Sequence, residues 1–490
     1  MTDPWDFADD AAVNSTSKTD LAGVSGAAGS NDVPITTRRD FLKTSAAITT
    51  AGALVGVTVP HVFAAEDNTV RIALVGAGGR GSGAAKNALS VENAPTRLVA
   101  MADVFENKLK ASYEGLKNND EVSSRVDVKD EHKFLGFDAG ANAMSVLRPN
   151  DIVILTTPPA FRWPLFKLAI EKGLNVFMEK PVCVDGPSAR KMLALAEQAS
   201  AKNLKVGVGL MIRHCKVRQD LFNKIQDGAI GDIVLMRGYR MHGPVASAFS
   251  KAPPEGSDEL LYQINRFHSF IWASGGCFSD YYIHNIDECC WMKNAWPVSA
   301  QASGGRNYRG DFVDQNFDSY SVEYTFADGA KLMFYGRTMA GCKDQFASYA
   351  HGTKGLAVIS DNGHWPSKAR IYKAQKMANS EIVWRAPKEE GPDMDPYQVE
   401  WHDLVDAIRR DRPYNEVPRG VAASLTAVMG RMAAHTGQEI TYEQALNHEH
   451  ELAPGVDSFK AGSPPPLKRG TDGKYPIPQP GIVKNREYAG

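Results

Sequence analysis

The sequence predicts an α/β protein: a parallel sheet covered by helices, followed by a second α/β domain with a large, mainly antiparallel open sheet. Two observations carry this expectation. From Thr69 onward, apolar strand-like runs alternate with helical stretches in TVRIALVGAGGRGSGAAKNAL, RLVAMADVFENKLKASYEGL and DIVILTTPPAFRWPLFKLAIEKGLNVFMEKP. Such alternation is the pattern of parallel strands buried on both faces. Beyond Gly228 the runs become longer, as in DIVLMRGYRMHG, SYSVEYTFADGAKLMFYGRT and GLAVISD, with Asp328-Gly329 as a hairpin turn signal.

The bulk properties agree with a globular chain of two or three domains. The 490 residues are 43% hydrophobic and 23% charged. A net charge of −2 without blocks of like charge offers no field to recruit nucleic acid, and no nucleic-acid partner is expected. The six cysteines are scattered, with no CxxC pair, and do not read as a disulfide framework.

The chain divides into four segments. Residues 1–64 combine an Asp/Ser/Gly-rich stretch expected to be disordered with Thr37-Arg38-Arg39-Asp40-Phe41-Leu42-Lys43, a mildly apolar run and small residues after Val62. This resembles a twin-arginine export signal and implies the twin-arginine machinery as a partner and the periplasm as destination. That route carries folded proteins, so a cofactor can be loaded before export. No later segment reaches the ~18 apolar residues of a membrane helix, and the mature chain is expected to lack one. Residues 69–184 form the first domain and 185–450 the second. In the latter, PYQVEWHDLVDAIRRD and AASLTAVMGRMAAHTG read as helices packing within that domain. The Pro/Gly-rich segment 451–490 is expected to wrap the surface or stay mobile.

Gly76-Ala77-Gly78-Gly79-Arg80-Gly81 is a GxGxxG that follows a strand and opens a helix, the context in which such glycines bind a dinucleotide. Gly76 permits the tight turn, Gly78 lets backbone approach a pyrophosphate, and Gly81 allows close helix–sheet packing. Helix N-terminal amides then face the phosphates. Arg80 is equally a phosphate contact or a solvated helix residue. Asp103 ends the second strand roughly 20 residues later, where a carboxylate accepts from ribose hydroxyls and repels a 2′-phosphate. NAD is therefore expected over NADP, with a helix cap as the plain alternative for Asp103. Thr156-Thr157-Pro158-Pro159 and Glu179-Lys180-Pro181 end the next two strands, where open parallel sheets bind ligands. Gly79, Thr157, Pro158, Glu179 and Lys180 join the expected cofactor contacts. Lys180 also has the chemistry to steady a substrate hydroxyl as hydride leaves.

The ordered set VGAGGRG, MADVFENK, TTPP, EKP and GGxxxDxxxHxxD resembles the glucose–fructose oxidoreductase/inositol dehydrogenase (Gfo/Idh/MocA) family over roughly residues 69–450. The resemblance implies an N-terminal Rossmann domain, and a C-terminal domain whose open sheet often mediates homo-oligomerisation. It also implies hydride transfer on a carbohydrate or polyol, and catalytic roles for Lys180, Asp280 and His284. The chain departs from the family twice. Arg162 stands where a histidine often follows TPP, and Tyr282 replaces the small glycine of DxGxH.

GGCFSDYYIHNIDECCW concentrates Asp280, His284, Asp287, Glu288, Cys289 and Cys290. Asp280 and His284 are spaced to share a helical face, His284 to take a hydroxyl proton and Asp280 to orient the substrate or the imidazole. Adjacent cysteines diverge, so no metal site is expected, and Cys289, Cys290 and Trp291 read as core. Arg213, His214, Tyr239, His242, Arg266, His268 and Trp272 are weaker candidates for the substrate crevice, and Arg213 and His214 read equally as a domain-linking salt bridge. The leading expectation is an exported NAD-dependent oxidoreductase of sugars, sugar derivatives or cyclitols. The alternatives are a glycoside hydrolase using transient oxidation by bound NAD, similar to the α-N-acetylgalactosaminidases of that type, and a non-catalytic binding protein.

Overall fold

The computed structural model describes residues 68–364, 368–387 and 395–489, and the expected export signal lies outside them. The first sheet contains β1 (Val70–Val75), β2 (Thr96–Asp103), β3 (Lys133–Leu135), β4 (Ile152–Leu155), β5 (Asn175–Met178) and β6 (Val206–Val208). Its order is β3-β2-β1-β4-β5-β6, and every pairing is parallel. The order reverses between β1 and β4, which opens a crevice at the carboxyl ends of the strands. β6 lies past residue 184. The crossover helix Gly186–Ala201 carries the chain back to the sheet, burying Ala189, Met192, Ala196 and Ala199 in one cluster with Val176, Met178 and Val206.

The second sheet adds β7 (Ile233–His242), β8 (Ser299–Gly305), β9 (Ser319–Thr325), β10 (Lys331–Thr338), β11 (Gln345–Gly352), β12 (Leu356–Asp361), β13 (Arg370–Tyr372), β14 (Ile382–Arg385) and β15 (Ile440–Thr441). The order is β14-β13-β12-β11-β7-β10-β9-β8-β15, antiparallel where paired except for β7 with β10. β9 and β10 alternate buried and half-buried residues along their length, as strands with one covered face must. Tyr320, Val322, Tyr324, Leu332 and Phe334 point to the core, where they join Ile286, Cys289 and Cys290 of the helix Ile283–Lys293. The vicinal cysteines are thus buried core residues.

Two segments depart from the expected organisation. The helix Pro396–Arg409 covers the parallel sheet: Trp401 stacks on Phe177 with ring centroids 4.4 Å apart, and Leu404, Val405 and Ile408 complete that cluster. Its apolar stripe needs a large apolar face, and the one beneath β1, β4 and β5 supplies it. The final segment is anchored by side chains. Leu452, Val456, Leu467, Tyr475 and Tyr488 are buried, and Glu487 receives the fully buried Arg431 at 2.7 Å and His435 at 2.8 Å. Gln263 and Gln315 donate to the carbonyls of Leu467 and Pro476, so a Pro/Gly-rich segment whose described residues form one short 3₁₀ turn, Val456–Ser458, and no strand is held by others' amides. Among the described residues no helix is long and apolar enough to cross a membrane.

Candidate active site

The glycine turn sits at the reversal point. Gly76 has φ +97°, and a Cβ there would lie 2.7 Å from the Thr156 carbonyl carbon; one on Gly81 would lie 2.1 Å from the Gly76 oxygen. At Gly78 and Gly79 a Cβ meets nothing within 4 Å, so backbone there faces open space. Gly78 is the N-cap of the helix Gly79–Leu89, and no side chain caps it, which leaves the first-turn amides to a ligand.

Asp103 is positioned by two backbone amides. Ala77 donates to its Oδ2 at 2.7 Å and Phe105 to its Oδ1 at 2.9 Å. Burial nevertheless pushes its carboxyl above the ordinary value, against those bonds and the Lys108 ammonium. Asp103, Gly76, Gly78, Thr157 and Pro158 line a cavity of about 220 Å³ that Phe267 and the final segment's Val456, Asp457 and Phe459 also close. Gly78, Gly79, Arg80 and Gly81 line an adjoining groove that Ser247 and His268 face. Buried Thr157 Oγ1 has no partner and remains available. Arg80 is neither free nor simply solvated: its Nε lies 3.0 Å from Glu179 Oε1, and its guanidinium lies over the Tyr397 ring at 4.5 Å. Arg162 is fully buried and donates to the carbonyls of Leu155 and Thr157, bracing the TTPP turn. Burial lowers it to about 10, against Glu179 and Asp280.

Lys180 crosses from the first sheet to the second domain. Its Nζ donates to the Asp280 carbonyl at 2.6 Å and lies 3.9 Å from Asp280 Oδ1. His268 Nε2 lies 3.4 Å from Asp280 Oδ2, while its Nδ1 meets Ser247 Oγ at 2.8 Å. Burial pushes the Asp280 carboxyl up, but Lys180, His268 and Arg162 outweigh it and hold it below the usual range. His284 is buried with Nδ1 unpartnered. Burial, and then the positive charges of Lys180, Arg240 and Arg80 with the neighbouring His364, hold it well below an ordinary histidine. The imidazole is therefore neutral.

Tyr282 lies beneath this region as a core aromatic. Its ring fills the space over Gly336 of β10, where a Cβ would come within 2.3 Å, and it packs against Phe278, Tyr320 and Phe334. Most of the weaker candidates are structural. Arg213 pairs with Asp287 at 2.8 Å, and His214 with Asp403 at 2.7 Å and Glu416 at 3.2 Å. Tyr239 stacks on Tyr335. Arg266 bonds Ser250 and the Phe249 carbonyl, and Trp272 donates to Gln263. His268 alone of that set touches Asp280. Sequence reasoning missed Arg240 and His364. Alternation along β7 from the buried Met236 puts Arg240 and His242 on the inner face, a signal present in the sequence. His364 follows β12 in a turn and carries no such signal. Among the described residues no three His, Cys, Asp or Glu side chains converge as a metal site.

Residues 70–208 match the family described as oxidoreductase family, NAD-binding Rossmann fold, and residues 219–358 match the GFO/IDH/MocA C-terminal domain. The chain is 27% identical over 297 residues to an inositol 2-dehydrogenase of Rhizobium meliloti, covering 60% of this chain and 76% of that protein. It is 27% identical over 169 residues to a scyllo-inositol 2-dehydrogenase (NAD(+)) of Bacillus subtilis, 34% of this chain and 42% of that one. Among solved structures, scyllo-inositol dehydrogenase from Lactobacillus casei with NAD(H) and scyllo-inositol has a TM-score of 0.55 at 20% identity, covering 76% of this chain and 99% of that one. Aldose-aldose oxidoreductase from Caulobacter crescentus has a TM-score of 0.57 at 17% identity, with the same coverage. The two matched domains make this chain a member of the Gfo/Idh/MocA oxidoreductase family, related to the inositol dehydrogenases.

Proposed function

We propose that the protein is an NAD-dependent dehydrogenase that oxidises a secondary hydroxyl of a sugar, sugar derivative or cyclitol. One observation carries the reading: Lys180, at the carboxyl end of a parallel strand, meets Asp280 of the second domain beside a neutral histidine. The names of the relatives, inositol dehydrogenases, point the same way.

The residues present fit NAD. The uncapped helix amides at Gly78 and Gly79 would take the pyrophosphate, Asp103 the ribose hydroxyls, and Thr157 and Pro158 would flank the nicotinamide side. Asp103 Oδ2 already accepts from Ala77, so its carboxylate is fixed in place and would repel a 2′-phosphate. When bound, NAD supplies a nicotinamide that accepts the two electrons of the substrate C–H bond as hydride.

The chain handles the remaining proton. Lys180 donates a hydrogen bond to the substrate oxygen and stabilises its alkoxide character. Neutral His284 accepts the hydroxyl proton, leaving the carbonyl product. Asp280 keeps the ammonium of Lys180 in position and accepts from a neighbouring hydroxyl.

The export signal, a periplasmic location and homo-oligomerisation through the outer face of the nine-stranded sheet belong to the same proposal. That outer face carries a half-buried Tyr239, Tyr335 and Tyr349 cluster. A second reading, glycoside cleavage by transient oxidation with retained NAD, is favoured by one observation: Val456, Asp457 and Phe459 close the cavity that Asp103 lines.

The test is to incubate the purified protein with NAD and a panel of polyols, sugars and aryl glycosides. Stoichiometric NADH with a polyol or sugar supports the dehydrogenase. Glycoside cleavage without net NADH replaces it with the second reading. A neutral His284 further requires that the rising limb of kcat/KM lie below the ordinary histidine value of 6.5. An inflection above it that vanishes in His284→Ala would remove the neutral-base role.

A further inference from the structure

The inner face of the second sheet holds a row of cations and imidazoles beyond Lys180 and His284. Arg240 lies over the Phe346 ring with its guanidinium carbon 3.8 Å from the centroid. Phe346 and His364 ring centroids are 4.4 Å apart, and His364 and His284 centroids 5.2 Å apart. The row therefore runs unbroken from the proposed base to Arg240.

Its polar atoms lack partners. Among the described residues, Nε and Nη1 of Arg240, both ring nitrogens of His364 and Nδ1 of His284 are buried without a hydrogen bond. Leaving a buried donor unmatched costs about 1–3 kcal/mol, and more where the group is charged. Each such group calls for something to complete it, and an ordered water, an ion or a ligand can do so.

The surrounding carboxylates are engaged elsewhere. Glu179 pairs with Arg80, Asp280 with Lys180 and His268, and Asp287 with Arg213. Glu288, on the far side, accepts from Ser360 at 2.7 Å and Asn285 at 3.3 Å. Arg218 is also fully buried with its guanidinium nitrogens unpartnered, which adds to the positive charge on this side. Burial and then Arg240, Arg218 and Lys180 depress His364 well below an ordinary histidine, so the field at the row is positive.

We propose that the substrate is acidic: a sugar or polyol bearing a carboxylate or phosphate that seats against Arg240 and His364 while its reacting hydroxyl meets Lys180 and His284. The inference rests on the dehydrogenase reading and names the substrate class it left open. A guanidinium fork binds either anion through paired hydrogen bonds, and His364 donates from one ring nitrogen while remaining neutral. A neutral polyol leaves Nε and Nη1 of the half-buried Arg240 unpaired, the situation in which sites discriminate most strongly.

The experiment compares matched ligands on the full chain loaded with NAD: galactose, galacturonate and galactose 6-phosphate, with calorimetric affinity and NADH formation measured in parallel. One acidic member should bind on the order of 10²-fold more tightly than galactose, and the member that gains identifies the anion. Arg240→Gln should reduce that ratio at least about tenfold, and Arg240→Lys should restore part of it. Equal affinity of the wild-type protein for neutral and acidic ligands overturns the proposal without any variant being needed. An unchanged ratio in a folded Arg240→Gln protein, its fold checked by circular dichroism, overturns it as well. The two readings fail separately: selective acid binding with no NADH removes the hydride chemistry, whereas NADH formed equally well from galactose removes the acidic-substrate claim.

Discussion

The two ends of the crevice are built on opposite principles. At the cofactor end almost every polar side chain is already satisfied by the protein. Asp103 accepts from two amides, Thr156 donates to Gly76, Arg162 donates to Leu155 and Thr157, and Arg80 pairs with Glu179. What is left open is backbone at Gly78 and Gly79 and a single side-chain hydroxyl, that of Thr157. At the substrate end the reverse holds: His284, His364 and Arg240 keep buried nitrogens without partners. A preformed surface that offers backbone suits a ligand that many proteins share. Unmet side-chain donors wait for one particular ligand to meet them, and so set specificity.

This contrast can be tested most sharply at Lys180, which the proposed mechanism assigns to the reaction and the sequence also placed among the cofactor contacts. Lys180→Ala should lower kcat about 10³-fold by steady-state kinetics, within the range of positioned proton and charge catalysis. NAD affinity by calorimetry should change less than about threefold, under 1 kcal/mol. A comparable loss of NAD binding would mean that Lys180 serves the cofactor end after all.

The next effect in size tests the claim that the cofactor end works through backbone. Gly81→Ala puts a Cβ 2.1 Å from the Gly76 carbonyl oxygen, so turn and helix must separate. NAD affinity should weaken by at least about 30-fold, roughly 2 kcal/mol. Gly79→Ala, with open space around it, should cost far less. Equal losses at both positions would show that the close approach at Gly81 does not matter.

The smallest effect concerns the joint behind both ends. Burial pulls His214 down, but Asp403 and Glu416 outweigh it and raise the imidazole to about 9. Burial pushes Glu416 up, but Arg419 and His214 bring it to about 2. A pKa raised above the unfolded 6.5 contributes stability that is full below pH 6.5 and is lost as pH rises towards 9. A carboxyl depressed from 4.5 contributes stability that is full above 4.5 and is lost as pH falls towards 2. The joint is therefore strongest between these windows. His214→Gln should cost about 1–2 kcal/mol near pH 6, the Asp403 half being partly exposed to solvent. It should also flatten the decline of Tm on the alkaline side; a wild-type Tm that rises from pH 6.5 to 9 would contradict the joint.

Legibility followed distance along the chain. The positions of the glycine turn, Asp103, TTPP and EKP were readable because each is a short motif at the carboxyl end of a parallel strand. The partners of the cations were not. Arg80 read as a phosphate contact or a solvated residue, yet Glu179, just past the end of β5, holds it from across the crevice floor of the first sheet's strand ends. Arg213 and His214 read equally as crevice residues or as a domain-linking salt bridge, and only the fold decided for the salt bridge and named its partners, Asp287, Asp403 and Glu416. The helix Pro396–Arg409 was recognisable as a helix, but which sheet it covers depended on where an apolar face of matching size stood open.

By itself, then, the sequence determined the alternating architecture and the dinucleotide turn, and it singled out Lys180, Asp280 and His284 as the residues to which the proposed chemistry is assigned. Period, glycine placement and strand-end position are local properties, written within a few dozen residues. Tertiary structure alone decided that Lys180 meets Asp280, a hundred residues away, that His284 is neutral, and that Arg240 and His364 stand beside it unpartnered. Charge state and hydrogen-bond vacancy depend on what surrounds a group in space, and those neighbours come from β5, β7, the turn after β12 and three separate helices.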